Sequence, residues 1–328
     1  MGAKQSQFIV WGPTSVNIYE NTRTSKKIMF IGDKHQIPKE KPGISLNEMF
    51  GKIKVNKDIG FITEGCADSI CLRDEEIDNC MKRAQVCKVI KTKFTTLWGD
   101  YREKTSIYDM HNSTVRLNIY LTMFRYKWNE AVRKDPEMLG RMQEVVVESV
   151  KAVLPAYKKI STWEGKDLVK NVMKEYPGFM KRLAKLSDID KQNIFRYLNK
   201  SIYKGISKEE FNNIYNQKKA LMVPTIRGIF TSFKEGTRIK DADYNQYLSV
   251  ISYMKKTTHD INDAIFEAYM IMLVISTDFK RYIIHAGALH IYNLEEWFQS
   301  TLGYKEYFKS KSVGNLSQAV DIGGLQFV

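Results

Sequence analysis

The chain has 328 residues, 43% hydrophobic and 27% charged, with 51 Lys+Arg against 37 Asp+Glu for a net charge of +14. That length suits one large α/β domain or two modest ones, and the composition excludes wholesale disorder, a collagen-like rod and a disulfide mini-scaffold. No run of 18 consecutive apolar residues occurs, and the richest windows, 268–276 and 282–294, are too short or too polar to span a bilayer.

At the N-terminus no basic segment precedes an apolar one, so no Sec-type leader is expected and a reducing, cytoplasm-like space is. Loss of Met1 would leave Gly2-Ala3-Lys4-Gln5-Ser6, which fits the M-G-x-x-x-[ST] pattern for N-myristoylation. Gly2 supplies an unhindered amine and Ser6 the small hydroxyl residue. One myristoyl chain binds membranes only marginally, so a second signal is needed, and a basic surface facing anionic lipid would provide it.

Residues 8–19 read as strand around a Gly12-Pro13 turn, and 27–31 as a short β-run ending at Gly32. Residues 45–53 have a helical spacing of Leu46, Met49, Phe50 and Ile53. A second strand at 58–63 ends at Glu64, and 74–90 read as an amphipathic helix. Cys66, Cys71, Cys80 and Cys87 follow a C-x4-C-x8-C-x6-C spacing without a tight pair or a nearby histidine. They read as partly buried thiols, not as structural zinc ligands or disulfides.

From 113 to 258 the pattern is helical, with breaks predicted at Pro136, Pro155, Pro177, Gly205 and Pro224. A new apolar helix is predicted over 260–276, a third strand over 281–285, and after a turn a helix from about Tyr292 to Leu302. The residues from 310 on are Gly- and Ser-rich and read as an extended tail. The expected fold is α/β, a mixed central sheet flanked by helices with a long all-helical insertion. Its parts are a lipidated N-terminus (1–7), a first half-domain (8–112), the insertion (113–258), a second half-domain (259–309) and the tail (310–328).

Polar residues at the strand ends carry the chemistry. The first long strand ends Gly32-Asp33-Lys34-His35 and the last ends Gly287-Ala288-Leu289-His290, so both contain G-x-x-H just beyond an apolar β-run. Glycine lets the chain leave the sheet sharply, and the histidine three residues on can turn back over the strand end. With Glu64 closing the strand between, His35, Glu64 and His290 form the ligand set of a divalent-metal site with open positions. Asp33 is an orienting partner or a further ligand, His285 reads as a packing or orienting residue, and His259, beside Asp260 at a predicted helix start, as structural.

These two motifs and the glutamate resemble the TIKI/TraB superfamily, whose broader relatives include ChaN-like and erythromycin-esterase-like proteins. Residues 28–65 resemble that family's opening block and residues 260–304 its closing block, around a variable helical middle, as in versions from large eukaryotic DNA viruses. The resemblance implies metal-dependent hydrolysis of a peptide or ester, with His35, His290 and Glu64 as the matching positions. The family's arginine has no exact counterpart; Arg73 and Arg116 are the candidates, and His111 lies near the latter in sequence. A metal held by His35, His290 and Glu64 would activate water and polarise a carbonyl. Asp33 or Glu64 would serve as base and Arg116 or Arg73 would face the oxyanion.

Two readings of different class follow. One is a hydrolase tethered to membrane through Gly2; the other is a non-catalytic, myristoylated, basic protein of a membrane or virion that keeps the pocket as scaffold. Nucleic-acid binding rests on charge alone and ranks last, because the basic residues come as scattered pairs such as Lys158-Lys159 and Lys218-Lys219.

Overall fold

A computed structural model describes residues 9–34, 43–64, 89–98, 105–127, 135–235, 239–313 and 316–322. Strand β1 (Ile9–Trp11) passes through Gly12 into β2 (Pro13–Asn21), which turns back as β3 (Lys26–Asp33). After β4 (Ile44–Ser45), helix α1 (Leu46–Lys52) starts on a reciprocal cap. Ser45 Oγ accepts from the Glu48 N–H while the Glu48 carboxylate accepts from the Ser45 N–H. Strands β5 (Ile59–Thr63) and β6 (Thr95–Trp98) follow, the second unforeseen in the sequence.

The middle of the chain is helical: α2 (Ser106–Lys127), α3 (Pro136–Ile160), α4 (Leu168–Lys174), α5 (Pro177–Leu183), α6 (Asp188–Tyr203), α7 (Lys208–Glu235) and α8 (Asp241–Ser276). Pro155 lies inside α3 and Pro224 inside α7, where breaks are predicted. An internal proline costs a helix about 3 kcal/mol. Around Pro155, Val153, Ala156 and Tyr157 are buried; around Pro224, Met222, Thr225 and Ile226 are. Packing of those faces outweighs the lost hydrogen bond. Helix α8 likewise runs unbroken through 258–260, because no Gly or Pro interrupts it and Met254, Thr258 and Ile261 all face the interior.

The chain closes with β7 (Arg281–Gly287), α9 (Ala288–Ser300), β8 (Lys305–Lys309), β9 (Lys311–Val313) and β10 (Leu316–Asp321). Within the predicted tail, 311–313 and 316–321 are thus folded as strands. They lie in a four-stranded sheet of order β4-β1-β10-β9, with Val10 opposite Val320. The larger sheet has the order β6-β5-β7-β3-β2-β8. Within it β6, β5, β7 and β3 are parallel, and β2 and β8 are antiparallel additions. This is a mixed sheet with helices on its faces and a long helical insertion, as the sequence leads one to expect.

Two compact units result. Met1–Tyr101, Lys185–Ile194 and Phe266–Val328 make the α/β unit; Arg102–Ala184 and Phe195–Ile265 make the helical unit. In the α/β unit, alternate residues Met29, Ile31, Phe61 and Ile283 join Met49 and Phe50 of α1, together with Phe94, Val320 and Ile322, in one buried core. The rings of Phe50, Phe61 and Phe94 lie 5.4–6.2 Å apart, and each fully buried ring contributes about 1.5–3 kcal/mol. The opposite face packs on α9, where Phe30 meets Phe298 edge-on at 5.6 Å. Among the described residues, no helix is long and apolar enough to cross a membrane.

Candidate functional site at the carboxyl edge of the parallel strands

Four parallel strands end on one edge, at Asp33, Thr63, Trp98 and Gly287. The ladder aligns His285 with Ile31 on one side and Thr63 on the other, and Gly287 with Asp33. Carboxyl edges of this kind are where open α/β sheets gather their polar groups.

Gly32 does not lead the chain out of the sheet. It lies within β3, which continues to Asp33. A Cβ there would sit 2.7 Å from Ser15 Oγ and 3.4 Å from the Ala288 Cα, so the glycine serves close approach of β2 and the start of α9. Helix α9 begins at Ala288, directly after β7, with no turn before it. His290 consequently sits in the first helical turn.

Glu64 is engaged at both its backbone and its side chain. Its N–H donates to the His285 carbonyl at 3.0 Å, and its Oε2 accepts from the Gly287 N–H at 2.9 Å. Gly287 is the N-cap of α9 and has no side chain to cap with. The carboxylate of Glu64 therefore stands at the positive end of a helix, where negative charge is favoured.

Asp33 and His285 meet on the same edge, Oδ2 to Nε2 at 3.5 Å, with side chains 21% and 13% exposed. The His285 Nε2 is buried and has no hydrogen-bond partner. His290 turns the other way, onto α8: its Nδ1 lies 2.8 Å from Oε1 of Glu267, which also accepts from Asn293 Nδ2 at 2.8 Å. Phe266 meets the imidazole edge-on at 4.7 Å between ring centroids.

The edge thus brings Glu64 to the second G-x-x-H motif and Asp33 to His285, while His290 pairs with Glu267. Arg116 is on α2 in the helical unit and is exposed. In that same unit the His111 ring stacks on His259 at 5.5 Å, and His259 pairs with Asp263 at 3.4 Å. Gly2, His35, Arg73, the four cysteines and most of the predicted 74–90 helix lie outside the described residues. Two participants were underrated in the sequence. His285 reads there as a packing or orienting residue. The sequence signal for Glu267 is that it is the lone charge between Asp263 and Asp278 in an apolar run.

Among the described residues, no group of three or more His, Cys, Asp and Glu is arranged to hold a metal ion. Two features nevertheless suit a divalent ion. An imidazole nitrogen and a carboxylate oxygen 3.5 Å apart, without a hydrogen bond between them, are spaced like two ligands of one ion. Ligand bonds of about 2.0–2.2 Å in a tetrahedral site put neighbouring donors at about 3.4 Å. The second feature is a histidine whose Nδ1 is tied to a buried carboxylate, the usual arrangement behind a metal-bound Nε2.

No protein-family model, curated protein or solved structure matches the chain.

Proposed function

We propose that this protein is a metal-dependent hydrolase of the peptidase or esterase kind, resembling the TIKI/TraB superfamily. Its centre is the carboxyl edge of β3, β5 and β7, and N-myristoylation at Gly2 attaches it to an anionic membrane surface. The observation that carries the reading is the buried Nε2 of His285, without a hydrogen bond and 3.5 Å from Asp33 Oδ2, on the edge that also bears Glu64. An unpaired buried polar atom costs about 1–3 kcal/mol, so a group that pairs it is called for.

Asp33 and His285 would hold the ion, with His35, Glu64 and His290 as the remaining candidates from the motifs. A bound divalent ion supplies a Lewis acid and a water acidic enough to ionise near neutral pH. The chain's own residues then orient and exclude. Glu64 holds the β7–α9 junction against β5 through Gly287, and Asp33 keeps an acceptor beside His285.

The test is hydrolysis of a panel of peptide and ester substrates by the full chain, with and without added Zn2+, Mn2+ or Co2+. The reading predicts metal-stimulated turnover that falls at least 100-fold in Asp33→Asn and in His285→Gln. Turnover equal in wild type and both variants would reject it.

One observation favours a second reading, a non-catalytic membrane- or virion-associated protein that keeps the fold. Glu64 and His290, the two described motif residues, both find partners within the protein, as a pocket retained for scaffolding requires. That reading predicts binding of the myristoylated chain to anionic vesicles with no hydrolysis under any metal.

A further inference from the structure

Glu267 presents an energetic puzzle. It is 1% exposed and sits in an apolar stretch of α8, where a leucine would satisfy the packing. A carboxylate in such a place costs several kcal/mol unless it is hydrogen-bonded. Its Oε1 receives two contacts, His290 Nδ1 at 2.8 Å and Asn293 Nδ2 at 2.8 Å, from consecutive turns of α9.

A carboxylate only accepts, so the imidazole nitrogen facing it carries the hydrogen. Asn293 reinforces this by donating to the same oxygen. A neutral imidazole has one N–H, and with Nδ1 so occupied the lone pair resides on Nε2. Phe266 fixes the ring plane from a second side. His290 itself stands three residues beyond β7, in the first turn of α9.

We propose that Glu267 is a positioning residue that holds His290 as the Nδ1–H tautomer, making Nε2 its basic, ligand-donating nitrogen. The consequence for ion binding rests on the hydrolase reading above; the tautomer does not.

The experiment uses the full chain labelled with 15N-histidine, read by long-range proton–nitrogen correlation near neutral pH. The His290 signal among the five histidines is identified by its loss in His290→Gln. Wild type is expected to show Nδ1–H, and Glu267→Leu, which keeps the volume and removes the acceptor, to shift His290 toward Nε2–H. An Nε2–H signal in wild type overturns the proposal, as does an unchanged tautomer in Glu267→Leu. Should that variant not fold, Glu267→Gln decides. Its amide oxygen still accepts from Nδ1–H but lacks the charge, and Co2+ affinity by calorimetry should fall roughly 10–100-fold. Unaltered Co2+ affinity in Glu267→Gln would reduce Glu267 to a tie between helices and overturn the positioning role. Wild type that binds no Co2+ at all counts against the metal reading alone, with the tautomer of wild type still deciding the proposal.

Discussion

At Gly287 the chain passes from strand to helix on a residue with no side chain, and Glu64 reaches across from β5 to accept the N–H left there. This gives Glu64 a structural task whatever chemistry it has. Glu64→Ala is expected to lower unfolding free energy in urea by about 1–3 kcal/mol, and Glu64→Gln, which keeps an acceptor, to recover most of it. Equal stability of all three would mean the contact contributes nothing. A second carboxylate gives a pH signature. Burial holds the Glu295 carboxyl above its usual range, even though Asn17 Nδ2 donates to it at 2.8 Å. Its folded-state value lies above the unfolded one, so its ionisation destabilises the fold as pH rises through the ordinary carboxylate range and beyond. Glu295→Gln should therefore gain stability relative to wild type at pH 7 compared with pH 3.5, measured by urea unfolding at both. A difference that is constant with pH would contradict this.

Elements with strong periodicity were legible. Strands β2, β3, β5 and β7 and helix α1 all fall where alternation and 3–4 spacing put them. What escaped has physical reasons. Strand β8 reads Lys-Glu-Tyr-Phe-Lys, the charged make-up of an edge strand, and its alternation is lost in its charges. Strands β9 and β10 are three and six residues long in a Gly- and Ser-rich stretch, and they become strands through their pairing with each other and that of β10 with β1. The sequence places the start of α9 near Tyr292, after a turn, whereas the helix follows β7 directly at Ala288 and carries His290 in its first turn. The folded C-terminal strands carry a simple expectation. Ile322 is 3% exposed within the core, so Ile322→Ala should cost about 2–4 kcal/mol in denaturant unfolding. A loose tail would give a change below about 0.5 kcal/mol.

Across the whole molecule the positive charge is uneven. The helical unit, Arg102–Ala184 with Phe195–Ile265, carries 28 Lys+Arg and 17 Asp+Glu; the α/β unit carries 23 and 20. The basic excess therefore belongs mainly to the insertion, and the strand edge with Asp33, Glu64 and His285 to the nearly balanced unit. Composition alone could not divide the charge in this way, because the helical unit is assembled from two stretches of chain. The proposed function divides along the same line, with attraction to an anionic surface assigned to the basic unit and the chemistry to the α/β unit. The claim on which that account depends is that the edge binds a divalent ion. Equilibrium dialysis of the full chain against Zn2+, Mn2+ and Co2+, followed by elemental analysis, measures it directly. One equivalent per chain in wild type and loss of it in the Asp33→Asn, His285→Gln double variant is the predicted result. No bound ion in wild type, or one retained in the double variant, would contradict it.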